Sequence, residues 1–236
     1  MTIRNPVPGI GHETVQAQRR AAGRGWQILA AVEVAGAAAA VVADWFLPTL
    51  VLLAMAAVSL AVRRRGLASL GLHRPARMRV LILQMLTFSA AWTLLSLALF
   101  IPVANHVTDQ RQDTSVFADL QGNLGMLALL VLLSWTLAAF CEEMAYRGYL
   151  LTRLTDLLGS SQVGLAAAVL LTSALFGLAH TEQGAVGVLI ATLDGVAFAV
   201  LRFRFGTVWA PVLAHGFNNT IGFVAFFFLG PVYGLW

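Results

Sequence analysis

Apolar residues run through this chain in blocks separated by short polar or charged stretches, and the blocks fall at roughly 26–43, 45–62, 80–104, 124–150, 162–180, 184–202 and 206–231. Each block is about as long as the α-helix needed to cross about 30 Å of hydrocarbon at 1.5 Å per residue. The expected fold class is therefore an all-α integral membrane protein, a bundle of seven or eight transmembrane helices. The eighth would arise if the last block breaks near Gly216 or Gly222.

Residues 1–25 follow a different pattern: Pro6, Pro8 and four Arg, without a sustained apolar period. They read as a polar, loosely ordered or surface-lying tail, followed by a single membrane domain over 26–236. A cleaved signal peptide is not expected, because the apolar run continues past any plausible cleavage point.

Composition agrees with this picture. Of the 236 residues 59% are hydrophobic and 11% charged, against about a quarter charged in a typical soluble domain. The net charge of +4 comes from fifteen Arg and no Lys. Six Arg lie between Arg63 and Arg79 and four in the tail, whereas 107–123 holds Asp109, Asp113 and Asp119 against Arg111. Positive charge beside spans sets topology, so the tail and the 63–79 loop are expected in the cytoplasm of a multi-pass plasma-membrane protein. Nucleic acid is not an expected partner; membrane lipid is, notably for Arg74–Arg79 lying on the inner leaflet. The single cysteine, Cys141, excludes an internal disulfide and a multi-cysteine metal site.

Ionisable groups within spans are costly and mark candidate sites. Here they are Glu33, Glu142, Glu143, Arg147, His180, Asp194 and His215. Glu143 and Arg147 stand four apart on one helical face and can pair. Glu142 is rotated by about 100° and is left free. Phe176 shares a face with His180 and can brace its ring. His215 and Asn219 stand one turn apart, with Asn218 as the alternate partner, and can present donors to an oxyanion. Glu33 is expected to pair with an Arg or Asn elsewhere, and Asp194 beside Gly195 suits either a site residue or a close helix contact.

Glu142-Glu143-x-x-x-Arg147, Phe176-x-x-x-His180 and His215-x-x-x-Asn219, with Trp209-Ala210-Pro211 leading into the last, resemble the motifs of the CAAX-protease and bacteriocin-processing family of membrane endopeptidases. The resemblance covers about 124–225. It implies an intramembrane protease in which Glu142 and His180 activate water, His215 and Asn219 stabilise the tetrahedral oxyanion, and Glu143 with Arg147 holds the architecture. The implied substrate is a membrane-associated peptide or protein, prenylated or leader-type.

No cofactor is favoured. Zinc held by Glu142, His180 and His215 ranks second, because those are legitimate ligands but His-Glu-x-x-His is missing from the chain. The rival reading is a non-catalytic membrane scaffold or bacteriocin-immunity protein on the same fold, and a third is a proton-coupled transporter using Glu142 and Asp194.

Overall fold

The computed structural model describes residues 10–232, with side chains from Gly23 onward. Among the described residues all regular structure is helical. The rods are α1 (Ile10–Val42), α2 (Pro48–Arg63), α3 (Met78–Thr108), α4 (Leu124–Leu158), α5 (Gln162–Leu178), α6 (Gly184–Phe205) and α7 (Trp209–Leu229). The last is one unbroken helix across Gly216 and Gly222.

Helix α1 begins at Ile10, inside the segment read as a tail; residues 1–9 lie outside the described ones. Of the seven helices, five are long and apolar enough to traverse a membrane, and α2 and α5, with 16 and 17 residues, are shorter apolar helices. The cause in α5 is local. Ser161 accepts the Gly164 N–H at 3.1 Å and so starts the helix, and the chain leaves helical geometry at Ala179 and His180, whose φ and ψ are −121° and 30°.

Helices α5 and α6 pack against each other at small residues. A Cβ on Gly195 would stand 2.9 Å from the Ser173 Cα, so only glycine allows this approach. Polar ties join α3 to α7: Ser89 Oγ donates to the Ala214 carbonyl and Thr93 Oγ1 to Asn218 Oδ1, both at 2.8 Å. In hydrocarbon such groups have no water to return to, which favours the paired arrangement. Glu33 and Arg63 form an ion pair at 2.8 Å between α1 and α2, which satisfies the expectation for Glu33.

The loops segregate to two ends of the bundle. At the Arg-rich end Thr207 Oγ1 donates to the His73 carbonyl at 2.8 Å, and the Val208 N–H donates to the Gly71 carbonyl at 3.0 Å. At the acidic end the Asp113 N–H donates to the Gln183 carbonyl and the Gly122 N–H to that of Phe227, each at 3.0 Å. Loop charge likewise sets the Arg-rich 63–79 loop apart from the acidic 107–123 loop.

Candidate functional site

Helix α4 is not a regular α-helix where the two glutamates lie. From Ser134 to Glu142, and again from Met144 to Leu150, its hydrogen bonds widen to the i→i+5 pattern. Such widened turns cluster at functional positions because they re-aim side chains without breaking the rod.

Glu143 and Arg147 are fully enclosed, 0% and 1% exposed. Arg147 Nη1 donates to Glu143 Oε1 at 3.0 Å, as their spacing requires. The same oxygen accepts from His215 Nδ1 at 2.9 Å. Glu143 thus ties α4 to α7, a link no sequence spacing reveals because 72 positions separate the two residues. With Nδ1 committed to a carboxylate, which only accepts, the ring's Nε2 is the edge left for chemistry.

Phe176 is the hub of this arrangement. Its ring lies 4.1 Å from the Arg147 guanidinium carbon, 4.7 Å from the His180 ring and 6.1 Å from that of His215. A guanidinium over an aromatic face is attracted by the ring quadrupole, the more so without water. The predicted bracing of His180 is present, and it has a second component: His180 Nδ1–H donates to the Phe176 carbonyl at 2.8 Å. A carbonyl only accepts, so a neutral His180 carries its hydrogen on Nδ1 and leaves Nε2 with a lone pair. The bond holds the ring back against Phe176 from a backbone position beyond the end of α5.

Glu142 and His180 line one cavity of about 230 Å³. Pro48 and Leu50 from the start of α2 and Leu47 just before it, with Leu137 from α4, provide an apolar wall. Buried Oε2 of Glu142 makes no hydrogen bond, and Glu142 lies within Coulombic range of both His180 and His215. The cavity is therefore a mainly apolar chamber with a carboxylate and an imidazole on its surface, the usual make-up of a small-ligand or active site.

His215 and Asn219 do not line that chamber. His215 is reached through Glu143 and Phe176, and Phe198 stacks on its ring at 5.2 Å. Asn219 makes no hydrogen bond with the described residues, whereas Asn218 is held by Thr93. Asp194 is bound too: Trp92 Nε1 donates to its Oδ1 at 2.6 Å.

Tyr146 was not anticipated. It is fully enclosed, lines the cavity, and its buried hydroxyl makes no hydrogen bond. Its position one turn after Glu142, on the same face, was the available signal. Nothing in the spacing pointed to Phe198 or to Leu47–Leu50.

Among the described residues no three His, Cys, Asp or Glu side chains are grouped closely enough to hold a metal ion. Glu142, His180 and His215 do not form a ready zinc site in this arrangement.

Residues 124–221 match the family described as type II CAAX prenyl endopeptidase, Rce1-like. Neither a curated protein nor a solved structure matches the chain.

Proposed function

Because residues 124–221 match the Rce1-like CAAX protease family, we propose that the chain is an intramembrane endopeptidase in which Glu142 and His180 activate the water that attacks the scissile carbonyl. The observation that carries this reading is the shared cavity, in which an unpaired carboxylate and an imidazole with a free Nε2 meet an apolar wall.

A water between Glu142 and His180 gives a proton to one of these bases as its oxygen attacks the carbonyl carbon, and the same proton then passes to the leaving amine. General acid–base transfer of this kind contributes about 10²–10⁴-fold. The tetrahedral intermediate carries its charge on the former carbonyl oxygen, which His215 Nε2–H, with the ring as imidazolium, and the Asn219 amide would stabilise after a movement that brings them to the chamber, which neither lines. Removing one such donor costs about 10²–10³ in kcat in well-defined cases. Glu143 would serve as the positioning residue, holding His215 from Nδ1 and Arg147 from one turn away.

The apolar wall suits a substrate segment with aliphatic side chains that reaches the cavity from the bilayer, whether on a prenylated or a leader-type polypeptide. We place the Arg-rich end in the cytoplasm and the protein in the plasma membrane, in keeping with the arginines at Arg63–Arg79 and Arg202–Arg204. Neither a metal nor any other cofactor enters this scheme.

The test is cleavage by the full chain in proteoliposomes, with a prenylated CAAX peptide and an unprenylated leader peptide offered separately. Wild type is expected to release a product from one of them. Glu142→Gln and His180→Ala are each expected to lower turnover at least 10²-fold while eluting as folded protein. Unchanged turnover in both variants would remove these two residues from the mechanism.

A further inference from the structure

A second cavity, of about 470 Å³, lies at the Arg-rich end of the bundle, away from the chamber that contains Glu142. Its walls come from α1 (Gly23, Trp26, Gln27), from Arg63, Arg65 and Ser69 after α2, and from Thr152, Arg153 and Asp156 near the end of α4. Three arginines against one aspartate give the lining a positive balance. Even with Glu33 taken as fully neutralising Arg63, a net positive charge remains.

The arginines are not equivalent. Arg63 is committed: Nη2 donates to Glu33 at 2.8 Å, Nε to Ser59 at 3.2 Å, and its guanidinium carbon lies 5.1 Å from the Trp26 ring centroid. Arg153 is 5% exposed, and its Nη1 pairs with Asp156 at 2.9 Å. Its Nε is buried and makes no hydrogen bond. That atom is closed off from the cavity, so what Arg153 offers a ligand there is the positive charge of its guanidinium. Arg65 is exposed at the rim.

We propose that this cavity binds the phosphate group of an anionic phospholipid. The Arg65 guanidinium donates to the phosphate oxygens, Arg153 adds its positive charge beside them, and Trp26 lies against the glycerol and upper acyl region. Two features favour a lipid over a free anion: the cavity lies where the Gly23–Gln27 stretch of α1 meets the last residue of α2 and the last turns of α4, and it includes Trp26, 45% exposed, a residue type enriched at membrane interfaces. The inference is independent of the proteolytic reading, since it concerns the other end of the bundle and is read by binding.

The experiment is a thermal-unfolding titration of the purified full chain in neutral detergent. The probes are phosphatidylglycerol, phosphatidylcholine and inorganic phosphate, applied to wild type, Arg65→Gln, Arg153→Gln and Arg77→Gln. Phosphatidylglycerol is expected to raise the wild-type midpoint in a saturable way, and the other two probes to leave it in place. Arg65→Gln, an exposed change that leaves the packing intact, is expected to weaken the apparent phosphatidylglycerol affinity about fivefold, the equivalent of about 1 kcal/mol per arginine near an anionic surface. Arg153→Gln should weaken it at least as much. Arg77 carries the same charge outside the cavity, so Arg77→Gln is expected to bind as wild type does. Equal weakening by Arg77→Gln would show surface electrostatics without a site and would overturn the proposal. Wild-type affinity in Arg65→Gln, or an equal shift from phosphatidylcholine, would also overturn it. A shift from inorganic phosphate that phosphatidylglycerol does not exceed would overturn the lipid source.

Discussion

His215 and Glu143 are joined by a hydrogen bond of 2.9 Å between Nδ1 and Oε1, and the carboxylate oxygen that accepts it also accepts Arg147 Nη1 at 3.0 Å. One buried oxygen thus serves two cationic or potentially cationic partners on two helices. The adjacent Glu142 has no such bond from its buried Oε2. Each glutamate has a buried Oε2 without a hydrogen bond, but only Glu143 is tied to partners through Oε1, so substitution should separate them.

Glu143→Ala leaves the Arg147 guanidinium buried without its counter-ion and frees the His215 ring. Breaking a buried pair by removing one partner costs about 3–5 kcal/mol. The expected outcome is a large fall in the unfolding midpoint and in the yield of folded protein. Glu142→Gln is expected to keep the midpoint within a few degrees and lose turnover. Equal stability of the two variants would contradict the division of labour described for them.

Asn219→Ala and Asn218→Ala are predicted to act in opposite ways. Asn219 makes no hydrogen bond with the described residues, so its loss should leave stability unchanged and lower kcat about 10²–10³-fold if it serves the oxyanion. Asn218 accepts from Thr93 at 2.8 Å, and its loss should cost about 1 kcal/mol of stability with a much smaller effect on kcat. Parallel measurement of kcat and unfolding midpoint on both variants decides between them.

Tyr146→Phe removes a buried hydroxyl that has no partner and keeps the ring packed on Phe176, 5.1 Å away. The variant is expected to be as stable as wild type or slightly more so, because no bond is lost. A fall in kcat at constant KM would assign the hydroxyl to the transition state; kcat unchanged would make Tyr146 a packing residue.

Gly195→Ala tests the helix contact beside the site. The added Cβ would stand 2.9 Å from Ser173 Cα and Cβ, so α5 and α6 must move apart. Overpacking of this kind costs about 1–3 kcal/mol, and displacement of α5 carries Phe176 and His180 with it. Both the midpoint and kcat are expected to fall, whereas Gly222→Ala, with open space at its Cβ, should change neither.

Much of the protein was determined by the order of its residues. Long apolar blocks dictate helices, because a backbone in hydrocarbon must satisfy its own hydrogen bonds, and charge in the loops sorts the connections into the two ends that the fold brings together. Spacing of four predicted the Glu143–Arg147 pair, the bracing of His180 by Phe176 and the free state of Glu142, since one turn of helix is a local property. The tertiary structure decided what local spacing cannot carry. It placed His215 on Glu143, Phe198 on His215, and Leu47–Leu50 at the start of α2 in the same cavity as Glu142. It also shortened α2 and α5, because where a helix ends depends on caps and neighbours as well as hydropathy. The Glu143–His215 bond is of this second kind: residues 143 and 215 meet only because α4 and α7 pack side by side around a shared polar centre.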